Sequence, residues 1–159
     1  MESCLVDVKC RIGLAGEYRV LSELLKKGYY ASLTMGNAKA TDIIVFNERN
    51  SYIRVEVKTS KNGKNFVTGY YPKYSEPSTL HPDIWVLYLP ESKGESNGDR
   101  FFILTHEEIG VLQLEVNGGN KTEKGKGCDN IPLKKYMEKY KTVHEDQWSK
   151  IREALNNIP

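Results

Sequence analysis

Three residues have the types and spacing to do chemistry together: Asp42, Glu56 and Lys58. The segment SYIRVEVKT, residues 51–59, alternates cleanly, so Ile53, Val55 and Val57 take one face of a strand and Arg54, Glu56 and Lys58 the other. A carboxylate and an ammonium thereby sit side by side. Asp42 opens the preceding apolar run, Ile43-Ile44-Val45-Phe46. If residues 47–51 form the turn, Phe46 pairs with Tyr52, and counting back sets Asp42 opposite Glu56. A four-residue loop would set it opposite Val57 instead. Directly opposed like charges destabilise a sheet, so two neighbouring carboxylates beside a buried strand call for a compensating charge. A divalent cation is the commonest one, and oxygen ligands suit Mg²⁺ or Mn²⁺ rather than zinc.

A fourth acid joins them from a helix. Residues 14–27, LAGEYRVLSELLKK, read as an amphipathic helix stopped by Gly28. On a 3.6-residue wheel its apolar stripe is Leu14, Tyr18, Leu21 and Leu25, with Val20 and Leu24 at one edge. Glu17 falls between Leu21 and Leu24, on the side expected to be buried. Glu23 falls on the opposite, solvent-facing side with Arg19 and Lys26. A buried carboxylate is costly unless it is paired or bound to metal, so Glu17 is expected to point toward the sheet that carries Asp42 and Glu56.

The elements that must position these groups follow from pattern and punctuation. YYASLTM reads as a strand, GNAKA as a polar turn, and the runs around Asp42 and Glu56 as a hairpin. Residues 60–82 lack any period and read as a long irregular excursion. IWVLYL and RFFIL are two more strands. Thr105-His-Glu-Glu108 has the form of a capping box that starts a helix. NGGNKTEKGKG is a surface loop, and residues 133–156 are largely helical, with Thr142-Val-His-Glu145 as a second capping box. Trp148, Ile151 and Leu155 form a helical core stripe. The expectation is a single α/β domain over residues 1–159, a central mixed sheet of about five strands. The first helix covers one face and the C-terminal helices the other.

The order Glu17, Asp42, Glu56-Val57-Lys58 resembles the PD-(D/E)XK nuclease superfamily, which includes restriction endonucleases and Holliday-junction resolvases. The resemblance spans roughly residues 13–105 and is carried by pattern rather than close identity. GEYRVLSELLKKGY is similar to the family's first helix, and ATDIIVF and YIRVEVKTS to its two active-site strands. It implies a restriction-endonuclease-like fold and Mg²⁺ (or Mn²⁺) held by Asp42, Glu56 and the Val57 backbone carbonyl. Glu17 matches the helix acid that completes the metal site in one branch. Lys58 would position the attacking water and stabilise charge on the phosphate. Beside two carboxylates it should stay protonated, so an electrostatic role comes before a general-base one. Thr41 stands where the motif's Pro would be, which lowers the specificity of the match.

The rest of the chain constrains partners. Apolar residues at 39% and charged residues at 28% describe a soluble globule, and no apolar run could cross a bilayer. Three cysteines without ligand spacing read as reduced thiols, which suits a cytoplasmic protein. The net charge of +2 decides nothing by itself, but residues 58–75 hold lysines and no acid. There Lys61, Lys64, Lys73, Tyr70 and Tyr71 could grip a phosphate backbone and stack bases. Alternatively the loop is solvated and its tyrosines pack beneath it. His81, His106 and His144 lack metal spacing and read as structural, and Asp83 as a turn or cap residue. The expected function is metal-dependent hydrolysis of DNA, endonucleolytic, with a homodimer suited to cutting both strands. The competing expectation is an idle nuclease-fold module that binds nucleic acid or a protein partner.

Overall fold

The chain enters through one long helix, α1 (Glu2–Lys26), and then lays down strands β1 (Tyr30–Leu33), β2 (Ile43–Phe46) and β3 (Tyr52–Thr59). A short β4 (Asn65–Val67) follows, then β5 (Ile84–Leu89), β6 (Arg100–Thr105) and α2 (His106–Val116). The chain finishes with β7 (Asn130–Pro132), α3 (Leu133–His144) and α4 (Ser149–Asn156). This computed structural model describes residues 2–34, 40–70, 80–92, 94, 96, 98–119 and 129–158, with side chains from Val8 onward. Tyr71, Lys73 and most of the GNAKA and NGGNKTEKGKG segments lie outside the described residues.

Five strands form one mixed sheet in the order β1-β2-β3-β5-β6, and β4 pairs with β7 in a separate two-stranded sheet. All neighbours in the large sheet are antiparallel except β3 and β5, which run parallel. A parallel pair needs a crossover connection, and residues 60–83 supply it. The excursion read as irregular is therefore the crossover, and it carries β4. Two buried clusters flank the sheet. Val20 and Leu24 of α1 pack with Val55, Val57, Val86 and Ile103, together with Trp148, Ile151 and Leu155 from the C-terminal end. On the other face Trp85, Leu87, Phe102 and Leu104 pack with Ile109 and Leu112 of α2 and Tyr136 of α3.

Several expectations need correction. The helix starts at Glu2 rather than at residue 14; Gly13 does not stop it, because a glycine costs only about 1 kcal/mol inside a helix. The apolar stripe is also rotated. Val20 and Leu24 are fully buried, whereas Leu14, Tyr18 and Leu25 are 48%, 57% and 51% exposed. The cause is Gly16, where a Cβ would stand 1.9 Å from Thr59 Oγ1 and 3.1 Å from Tyr88 Cδ1. Only this rotation lets the helix backbone approach the sheet so closely. Glu23 is not solvent-facing: its side chain is 17% exposed and bonded to Arg19 and Lys26. The helix α4 lies on the α1 face, so the C-terminal helices divide between the two faces. Thr105 does make its capping box with Glu108, but Thr142 lies inside α3 and α4 has no side-chain cap. Glu145, the other half of that motif, is committed to a two-pronged pair with Arg100.

A polar tie joins α2, α3 and α4 to β6. Lys150 Nζ donates to Glu108 at 2.7 and 2.8 Å and to the Ile103 carbonyl at 3.1 Å, and lies 3.2 Å from His144 Nδ1. Burial, then the Lys150 ammonium, push His144 down to about 4. The imidazole therefore stays neutral and is free to accept from Lys150. The Lys150 and Glu108 side chains are only partly buried, 14% and 33% exposed, so Lys150→Met should lower stability by about 1–2 kcal/mol. A urea titration measures this, and a loss below about 0.5 kcal/mol would show the tie to be surface decoration.

Candidate active site

The hairpin register assembles the centre. Phe46 pairs with Tyr52 and Ile43 with Val55, so Asp42 lies one step beyond the last pair, beside Glu56. Its backbone N–H donates to the Val55 carbonyl at 3.0 Å, and its Oδ2 accepts from the Val57 N–H at 2.7 Å. The N–H and C=O of a strand residue point to the same edge, so the Val57 carbonyl turns toward the edge that Asp42 occupies. Ala40, two residues before Asp42, has φ of +57°. This left-handed conformation costs a non-glycine residue about 1–2 kcal/mol. The Thr34 hydroxyl, donating to the Thr41 carbonyl at 2.7 Å, fixes the segment that brings Asp42 to the strand.

Glu56 and Lys58 form an ion pair at 2.6 Å, with side chains 13% and 25% exposed. The second Glu56 oxygen, Oε2, is buried with no hydrogen-bond partner among the described residues. The Lys58 ammonium also stands 5.9 Å over the Trp85 ring, which lies on β5 directly across from Glu56. Glu17 reaches the centre from α1. It is half-buried, and burial followed by the Glu56 charge raises its pKa while Lys58 opposes them. Asp42 is pushed up to about 7, by burial first and the Glu56 charge second, against the Val57 hydrogen bond and Lys58. The inward direction expected for Glu17 is thus observed, although the stripe used to infer it was rotated.

Glu17, Asp42, Val57 and Lys58 line one cleft of about 780 Å³ between α1 and the crossover. Lys61 lines it too, but so do Lys9, Asn62, Asn65 and Asn130, which sequence reasoning missed. Lys9 escaped because the first turns of α1 were not read as helix. Asn65 and Asn130 meet only through the β4–β7 pair, side chain to side chain at 2.6 Å. Lys64 is exposed. Tyr70 is half-buried, packed against Trp85 and His106, which is the arrangement of a ring packed beneath its loop. His106 accepts from Trp85 Nε1, and Asp83 accepts from the Arg54 N–H, both in structural roles.

Do these residues suit a divalent cation? Among the described residues no group of three His, Cys, Asp or Glu side chains is spaced to hold one. Mg²⁺, however, keeps several waters and takes only one or two carboxylates. The partnerless buried Oε2 of Glu56 and a neighbouring carboxylate that resists ionisation are what a cation would relieve, so the donor set fits.

The raised Asp42 pKa carries a prediction for the metal-free protein. The folded state keeps a proton that the unfolded chain releases from about pH 4 upward, so this stability is present at low pH and lost as pH rises through about 7. Asp42→Asn should therefore gain on the wild type between pH 5 and pH 8 by more than about 1.4 kcal/mol, the equivalent of one pKa unit. Chelator-treated thermal melts at the two pH values measure it, and parallel pH dependence would refute it.

Neither the family models nor the curated proteins give a match. Among solved structures, the bacterial homing endonuclease I-Ssp6803I overlaps 60% of this chain and 64% of its own, with a TM-score of 0.42 and 16% identity. The chain thus spans under two thirds of that protein. An overlap that loose carries no weight for what this chain does.

Proposed function

We propose that this chain is a nuclease of the PD-(D/E)XK kind that hydrolyses DNA phosphodiester bonds within a strand, dependent on Mg²⁺ or Mn²⁺. The observation that carries this reading is the buried Oε2 of Glu56, without a hydrogen-bond partner among the described residues, beside Asp42 and ion-paired through Oε1 to Lys58; Asp42 and Lys58 line the open cleft and Glu56 stands behind them. Structural ion pairs ordinarily satisfy both carboxylate oxygens. Here one is kept free at the cost of burial.

Asp42, Glu56 and the Val57 carbonyl would hold the cation, with Glu17 supporting it from α1. When bound, the cation lowers the pKa of water and neutralises phosphate charge. The chain's own groups do the rest. Asp42 is fixed by the Val57 N–H, so its other oxygen is presented in one orientation. Lys58 lines the cleft, its ammonium held by Glu56 and over the Trp85 face. There it can bind a non-bridging phosphate oxygen and stabilise the charge that develops on it. Lys61 and Lys9 add the counter-charge that a phosphate backbone needs.

Incubation with supercoiled plasmid, linear duplex, single-stranded and branched DNA tests the function, each in Mg²⁺, Mn²⁺ or chelator. Cleavage of at least one form that chelator abolishes is expected. Inertness toward all four would leave a module that binds without cutting.

A further inference from the structure

One sheet face continues away from the catalytic pair. Helices α2 and α3 cover the β5–β6 half of the face that carries Glu56 and Lys58. No described helix covers its β1–β2–β3 half. The residues there are Tyr30 and Ser32 on β1, Ile44 and Phe46 on β2, and Tyr52 and Arg54 on β3. None is buried, and Tyr30 and Tyr52 are 68% and 44% exposed.

The arrangement is ordered. Tyr30 pairs with Phe46 and Phe46 with Tyr52, so three rings form a row across three strands. The Phe46 and Tyr52 centroids are 6.4 Å apart. The Arg54 guanidinium lies 5.3 Å over the Tyr52 ring, one strand position before Glu56 on the same face. The row stands four residues from Asp42 and from Glu56, about 13 Å along the strands. That is roughly four base steps at the per-strand rise of duplex DNA.

We infer that this uncovered face is a stacking platform for unpaired bases of the strand being cut, and hence that the substrate is single-stranded or carries a single-stranded flank. The inference rests on the nuclease reading for the position of the scissile phosphate. Two exposed tyrosine rings flanking the half-buried Phe46, with a guanidinium beside them, suit base faces and the backbone between them. A paired base in a duplex hides its faces in the stack and cannot use the row. Continuity with Arg54, Glu56 and Lys58 sets the direction of the strand, from the rings toward the cleft.

The test is fluorescence anisotropy in chelator, where no cleavage can occur, with a labelled 15-nucleotide oligothymidine and a labelled 15-base-pair duplex. The double variant Phe46→Ala/Tyr52→Ala should bind the single strand at least about fivefold more weakly and bind the duplex unchanged. Tyr52→Phe, which keeps the ring, should bind both as the wild type does and controls for folding, alongside thermal melts. Equal single-strand binding by wild type and double variant would overturn the platform, as would an equal loss on duplex. Cleavage assays on Glu56→Gln separate the two readings. If Glu56→Gln still cuts, the catalytic assignment fails whatever the binding data show. If only the anisotropy result fails, the platform alone is lost.

Discussion

Lys58→Ala is expected to cut DNA at least about a hundredfold more slowly than the wild type while binding Mn²⁺ as well or better. The rate loss is that of a preorganised charge removed from a site where charge develops on phosphate. The metal result follows from the ion pair. Lys58 now donates to Glu56 Oε1 at 2.6 Å, and removing that ammonium removes a cation competing for the same carboxylate. It also leaves the half-buried Glu56 without its Lys58 partner, so the metal-free variant should be less stable and should recover most of the loss when Mn²⁺ is added. Thermal melts with and without Mn²⁺ separate this from misfolding. Cleavage by Lys58→Ala within about threefold of the wild type would remove Lys58 from the chemistry.

Gly16→Ala is the second large effect, and its sign opposes ordinary helix behaviour. In an exposed helix interior the change gains about 1 kcal/mol. Here the new methyl would meet Thr59 Oγ1 at 1.9 Å and Tyr88 Cδ1 at 3.1 Å, so α1 must lift from the sheet. Overpacking of this kind costs about 1–3 kcal/mol. The helix also carries Glu17 into the cleft in the very next position, and a shift of about an ångström there costs roughly a hundredfold in rate. Thr59 Oγ1 is itself buried without a hydrogen-bond partner. Adding Thr59→Ala therefore removes both the obstruction and an unsatisfied hydroxyl, and should recover part of the stability lost by Gly16→Ala. Additive losses in the double variant, read from urea titrations, would show that the contact does not set the helix position.

The centre was legible in the sequence because its geometry is local. Asp42 and Glu56 meet through one hairpin, and once Phe46 is paired with Tyr52 by alternation, arithmetic gives the rest. The strand Ile84–Leu89 and the Thr105 capping box are equally local, a continuous apolar run and a four-residue motif. What could not be read depends on contacts between distant segments. The wheel favoured Leu14, Tyr18 and Leu25 as the buried stripe because it counts apolar residues. The true face is chosen by Gly16, whose value lies in Thr59 and Tyr88 on two different strands. The β4–β7 pair joins three-residue strands some 65 positions apart, too short to carry a periodic signature. Glu145 was read as a capping residue because its partner Arg100 lies 45 positions away. Of the cleft, Asp42 and Lys58 came from the strand pattern and Glu17 from the helix wheel. Lys9 and the asparagines came only with the fold.

The most direct test of the metal centre is a calorimetric titration of Mn²⁺ into the metal-free wild type at pH 8, with Asp42→Asn and Glu56→Gln beside it. Saturable binding by the wild type, weakened at least about tenfold in each variant, is the expected result. A wild type that takes up no Mn²⁺, or variants that bind it as tightly, would contradict the assignment of Asp42 and Glu56 as its ligands.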